Sequence, residues 1–203
     1  MKETTTKSGQ QPLYGLLLTG GKSTRMGSDK SLLEYHGMPH YAYLFQLLDA
    51  VCDRTFLSLR EDQLELAEGR DYILDRNQFR GPFNGMLSAH QEFPEVSWLV
   101  LACDLPLMDK SSLQLMIENH RQANFATALA THKTGLPEPL AAIWTSEALQ
   151  KATEYLPQSD SSCPRKFLLQ HSIKLVTPLH DDVLINANDK EEFQQSLKKV
   201  KST

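Results

Sequence analysis

With 203 residues, 40% of them hydrophobic and 23% charged, the chain can bury one sizeable core. Its formal charge of −4 lacks the basic excess with which nucleic-acid binders neutralise phosphates. Three widely spaced cysteines without a CxxC pair (Cys52, Cys103, Cys163) argue against a disulfide framework and a structural zinc site.

No apolar run approaches the roughly 20 residues that cross a bilayer, and Met1–Pro12 lacks the apolar stretch of a secretory signal. The expectation is a cytoplasmic protein with neither a membrane nor a nucleic-acid partner. Residues 1–12 read as a disordered tail and 13–203 as a single domain. Leu13–Leu18 is a short, nearly continuous apolar run, as a strand buried on both faces of a parallel sheet requires. A polar loop follows to Lys30, and apolar residues at helical spacing predict a helix over Pro39–Val51. The same unit then recurs: strands at 55–59 and 71–75, a short helix at 62–68 and a helix at 83–93. A second strongly apolar strand at 97–103 precedes a helix at 111–121. Later strands are expected at 125–131, 139–144 and 173–176, and helices at 146–156, 164–170 and 189–200. Strands and helices alternating in this way predict an α/β, Rossmann-like three-layer fold with a mostly parallel central sheet.

Chemistry concentrates in a few segments. The loop Leu18-Thr-Gly-Gly-Lys-Ser-Thr-Arg-Met-Gly-Ser-Asp-Lys30 leaves a buried strand with Gly20, Gly21 and Gly27 interleaved with Lys22, Arg25 and Lys30. Glycines let backbone amides approach an anion, and three cations suit a triphosphate or pyrophosphate. The loop is not a Walker A motif, because five residues, not four, separate Gly15 from Gly21 and Gly15 lies within the strand. It also lacks the GxGxxG spacing of dinucleotide-binding folds. Asp104, in Cys103-Asp-Leu-Pro106, ends the second apolar strand, where open α/β sheets bind ligands and a carboxylate can hold Mg²⁺. Asp75 ends another strand, before Gly81-Pro-Phe-Asn-Gly85, and Asn186-Ala-Asn188 precedes the last predicted helix. Taken singly, these segments also read as a solvated basic loop, a turn residue before Pro106, a plain strand-to-helix turn and a helix cap.

In this order, together with Glu138-Pro-Leu140, the segments resemble the molybdenum cofactor guanylyltransferase family, within the wider group of α/β nucleotidyltransferases. The resemblance extends over roughly residues 13–195. It implies that GTP lies across the strand ends, with Mg²⁺ on Asp104. A terminal phosphate of molybdopterin would attack the α-phosphorus, releasing pyrophosphate and forming the guanine dinucleotide cofactor. It further implies that Leu18, Thr19 and Gly20 line the base and ribose, that Gly21 belongs to the same nucleotide site, and that Arg25 and the loop amides hold the leaving phosphates with Lys22 as a helper. Lys30 would stabilise charge at the α-phosphate, Asp75 would read guanine, and Asn186 and Asn188 would face the pterin. Implied protein partners are those that insert molybdenum upstream and those that mature molybdoenzymes downstream. Two departures stand out: Thr19 occupies a position where the family often has Ala, and Phe56-Leu-Ser-Leu-Arg60 lacks an expected Asn. Related cytidylyltransferases usually show Ala-Gly where this chain has Gly20-Gly21, which favours GTP over CTP. A sugar-phosphate nucleotidyltransferase and a non-catalytic nucleotide- or pterin-binding module are the other readings. The terminal Asn-x-Asn counts against the first, and the presence of Asp104 and Lys30 against the second.

Overall fold

The computed structural model of the chain describes residues 11–20, 34, 36–121, 124–187, 192 and 198. The expected tail through residue 10 and the helix expected over 189–200 therefore lie outside the described residues, apart from the isolated positions 192 and 198. Seven strands form one sheet: β1 (Leu13–Leu18), β2 (Arg54–Leu59), β3 (Tyr72–Leu74), β4 (Ser97–Ala102), β5 (Ala126–Ala130), β6 (Pro137–Trp144) and β7 (Lys174–Val176). Their spatial order is β3-β2-β1-β4-β6-β5-β7. All pairings are parallel except those of β6, which runs antiparallel to both β4 and β5. Among the described residues five complete α-helices accompany the sheet: α1 (His40–Asp49), α2 (Phe83–Glu92), α3 (Lys110–Asn119), α4 (Ser146–Tyr155) and α5 (Pro164–Leu168). The short helix expected after β2 is a 3₁₀ helix, Glu61–Ala67. Among the described residues, no helix is long and apolar enough to cross a membrane.

The apolar strands have side chains on both faces because helices cover both. Leu16, Leu18, Phe56, Trp98 and Val100 pack with Phe83 and Leu87 of α2, Leu149 of α4 and Phe167 of α5. The alternate residues Leu17, Leu57, Leu59, Leu99 and Leu101 pack with Leu44 and Leu48 of α1 and with Leu113 and Met116 of α3. This period-two division between two cores makes the chain a three-layer α/β/α unit. Helix starts are fixed locally: the Asp109 carboxylate accepts from the Ser112 amide at 2.7 Å, and the Thr145 hydroxyl accepts from the Ala148 amide at 3.2 Å.

The antiparallel strand carries the main irregularity. Along β5 and β6, Ala128 pairs with Ala142, but the next residue, Leu129, pairs with Glu138, so Pro139, Leu140 and Ala141 bulge from that ladder. The indole of fully buried Trp144 donates to the Pro139 carbonyl at 3.0 Å and holds the bulge closed. Trp144→Phe leaves that buried carbonyl unpaired. It is expected to lower stability by about 1–3 kcal/mol, read as a lower urea midpoint at an unchanged slope.

Candidate active site

β1 marks the point where the sheet's connections reverse: β2 and β3 lie on one side of it, β4 on the other. Leu18 and Ala102 are paired at the carboxyl ends of β1 and β4, and the Cys103 amide continues the ladder to the Leu18 carbonyl at 3.2 Å. Ligands of open α/β sheets bind at such a switch point. Thr19 and Gly20 leave it on one strand, and Asp104 on the neighbour.

On the β1–β2–β3 side, Thr19 is 1% exposed, and its hydroxyl donates to the Ser58 carbonyl at 2.6 Å. Its own carbonyl accepts from the side-chain Nε2 of buried Gln63 at 3.4 Å. The Ser58 hydroxyl donates to Oδ1 of half-buried Asp75 at 2.6 Å. Burial pushes the Asp75 carboxyl above its ordinary range, while hydrogen bonds from Ser58 and Asn84 and the nearby Arg60 charge pull it back. The backbone beyond Asp75 is strapped to α2: the Arg76 amide donates to Ser88 Oγ at 2.9 Å, and the Phe79 amide to Asn84 Oδ1 at 3.3 Å. Gly81, at φ +64°, turns the chain into that helix with a conformation few other residues adopt. Gly85 then brings the helix backbone against the strand ends. A Cβ there would overlap Ser58 Oγ and approach Leu18 Cδ2 to 2.9 Å and Asp75 Oδ1 to 3.3 Å. At exposed Gly20, by contrast, a Cβ would make ordinary contacts, 3.7 Å from Arg60 Nη1 and 3.9 Å from Asp75 Oδ2. The missing methyl would lie against both that guanidinium and that carboxylate.

On the β4–β6 side, Asp104 is half-buried just beyond β4, and its carbonyl accepts from the Ala187 amide at 2.9 Å. That bond brings Asn186, half-buried, to the same end of the sheet. The β4–β6 ladder ends at Leu101 opposite Ala141; continued three residues, its register sets Asp104 opposite Glu138. Glu138 feels that neighbour. Burial, with Asp104's charge adding to it, raises its proton affinity, while Arg165 opposes the rise through an ion pair at 2.9 Å. The Arg165 guanidinium also donates from Nε to the Pro137 carbonyl at 2.9 Å. Two carboxylates at one strand end, both oxygen donors, suit a hard cation such as Mg²⁺, which takes one or two carboxylates and fills its shell with phosphate oxygens and water. Among the described residues no cluster of three or more His, Cys, Asp and Glu side chains forms a fuller metal cage. No disulfide joins Cys52, Cys103 or Cys163, and burial pushes the Cys52 thiol far above its ordinary range.

Of the residues expected from the sequence, Leu18, Thr19, Gly20, Asp75, Asp104 and Asn186 therefore lie at one end of the sheet. Gly21, Lys22, Arg25, Gly27, Lys30 and Asn188 lie outside the described residues. The sequence did not single out Ser58, Gln63, Asn84 or Arg165. Ser58 carried a legible signal, since a lone hydroxyl inside an apolar strand must find a partner when buried.

The chain matches the MobA-like NTP transferase domain over residues 15–167. It is 38% identical to a molybdenum cofactor biosynthesis bifunctional protein from Synechocystis sp., across 92% of this chain and 54% of that protein, so it spans about half the relative's length. It is 30% identical to a molybdenum cofactor guanylyltransferase from Pseudomonas fluorescens, across 90% of this chain and 92% of the relative. Among solved structures it resembles molybdopterin-guanine dinucleotide biosynthesis protein A from Archaeoglobus fulgidus, with a TM-score of 0.77 at 17% identity over 94% of this chain and all of that one. A nucleotidyl transferase from Methanothermobacter thermautotroptrophicus also gives 0.77, at 16% identity over 95% of this chain and 99% of the other. At these identities the likeness to the solved structures concerns the fold.

The geometry makes Gly85 a sharp test. Gly85→Ala is expected to cost about 1–3 kcal/mol, measured by urea unfolding, and to displace Ser58 and Asp75 from each other.

Proposed function

The chain belongs to the MobA-like NTP transferase family, and we propose that it transfers GMP from GTP to the terminal phosphate of molybdopterin. The observation that carries this reading is the meeting of Gly20, Asp75 and Asp104 at the sheet's switch point, in a chain aligned with nearly the whole of a guanylyltransferase. A phosphate oxygen of the acceptor attacks the α-phosphorus. The bond between the α-phosphorus and the oxygen bridging it to the β-phosphorus breaks, and pyrophosphate leaves with that oxygen and its electron pair. Little covalent work falls to the protein, so orientation and charge supply the catalysis.

The base lies beside Gly20, where Asp75 accepts its N–H donors and Arg60 closes the other side. Thr19, pinned through its hydroxyl and its carbonyl, fixes where the phosphate loop begins. Arg25 and the loop amides, Gly21 among them, hold the departing phosphates, and Lys30 stabilises charge at the α-phosphate. Asp104, with Glu138 beside it, would hold Mg²⁺, which when bound neutralises phosphate charge. Asn186 and Asn188 face the pterin side. Proteins that insert molybdenum upstream and mature molybdoenzymes downstream are the expected partners.

Isothermal titration with GTP, CTP, ATP and UTP, each with and without Mg²⁺, tests the reading. Tightest binding of GTP supports it; tightest binding of CTP reassigns the donor, and binding of none sinks the catalytic reading. Gly20→Ala is expected to fold normally, because among the described residues its methyl meets nothing closer than 3.7 Å, and to weaken GTP binding about tenfold or more while sparing CTP. Asp104→Ala keeps the backbone bond to Ala187. It is expected to retain the fold and lose guanylyl transfer to molybdopterin, so near-normal turnover would remove Asp104 from the metal site.

A further inference from the structure

Ser58 sits at 2% exposure in the middle of the donor side, and both its polar groups are committed there. Its carbonyl accepts from the Thr19 hydroxyl and its own hydroxyl donates to Asp75 Oδ1, each at 2.6 Å. One residue therefore spaces the first residue after β1 against the carboxylate at the end of β3. A hydroxyl needed only for packing would have been satisfied by a neighbouring backbone group. This one is directed at a carboxylate that burial disfavours as an anion. The same carboxylate has Oδ2 3.9 Å from where a Cβ on Gly20 would stand.

Guanine offers two adjacent donors, the ring N1–H and the exocyclic 2-amino group. A carboxylate accepts both only when its plane is fixed and it carries no proton. We infer that Ser58 is a specificity-positioning residue: by locking Oδ1 of Asp75 and anchoring Thr19, it sets the preference for a base that carries the 2-amino group over one that lacks it. This rests on the guanine-reading role proposed for Asp75. Neither Ser58 nor the Thr19 hydroxyl touches the reacting atoms. They act through the carboxylate and the loop start.

The test compares the affinities of GTP and ITP, which differ only in the 2-amino group, across pH for five proteins: wild type, Asp75→Asn, Ser58→Ala, Thr19→Val and Thr19→Ser. The ratio of the two affinities cancels titration of the phosphates they share. Ser58→Ala is expected to weaken GTP about tenfold while ITP changes by less than about twofold. Asp75 is pulled down by the hydrogen bonds from Ser58 and Asn84 and by the Arg60 charge, against burial. Losing the Ser58 bond leaves the rise less opposed, so the acid limb of the ratio moves to higher pH. Thr19→Val, which keeps the shape without the hydroxyl, should lower the ratio, and Thr19→Ser should preserve it. A purely structural role would lower both affinities together. If Ser58→Ala and Thr19→Val keep the wild-type ratio and acid limb while Asp75→Asn loses the ratio, the inference is overturned and the base assignment stands. If Asp75→Asn itself keeps the ratio, the base assignment fails and the inference falls with it.

Discussion

The donor side of the site depends on a contact that only a glycine permits. The backbone at Gly85, in the first turn of α2, lies so close to Ser58, Leu18 and Asp75 that any side chain would displace one of them. Because α2 can come that near, Asn84 reaches the Asp75 carboxylate and Ser88 secures the chain just beyond it. Three strand ends and one helix start are thereby referenced to each other by direct contact. A nucleotide binding here meets a frame already formed, so little ordering entropy remains to be lost on binding.

The other side is built by a different device. β6 runs against its neighbours, so its beginning, rather than its end, reaches the active end of the sheet. Glu138 lies at the edge of a bulge closed by the Trp144 indole, and the bulge re-aims that part of the strand. Asp104 and Glu138 repel each other there, and the Arg165 ion pair relieves Glu138 without removing the local excess of negative charge. The triphosphate of the proposed reaction would add to that excess. The balance would have to come from cations, and the sequence directly after Gly20 carries Lys22, Arg25 and Lys30. A chain with a net charge of −4 can therefore still hold a polyanion, because the relevant balance is local.

Much of this was legible in the sequence, for physical reasons. Continuous apolar runs such as Leu13–Leu18 and Ser97–Ala102 must be buried on both faces, which dictates helices on either side and ligands at the carboxyl ends. Asp75 and Asp104 could be placed because each lies at or just beyond the carboxyl end of a strand. The antiparallel direction of β6 was not legible, since it depends on which neighbour the strand finds rather than on its own residues. The three-residue shift past Ala128 was hidden for the same reason, and with it the pairing of Glu138 with Asp104 and Arg165. Those contacts join residues 27 to 34 positions apart in the chain, beyond the reach of any local pattern.

The two departures from the family pattern, Thr19 and the second strand without its Asn, looked independent in the sequence. In the fold they meet in one hydrogen bond, from the Thr19 hydroxyl to the Ser58 carbonyl, and Ser58 passes the restraint to Asp75. An alanine at position 19 would supply no donor, and an apolar residue at 58 would leave the buried carboxylate short of one hydrogen bond. Thr19 and Asp75 therefore both bear on Ser58, Thr19 through its carbonyl and Asp75 through its hydroxyl.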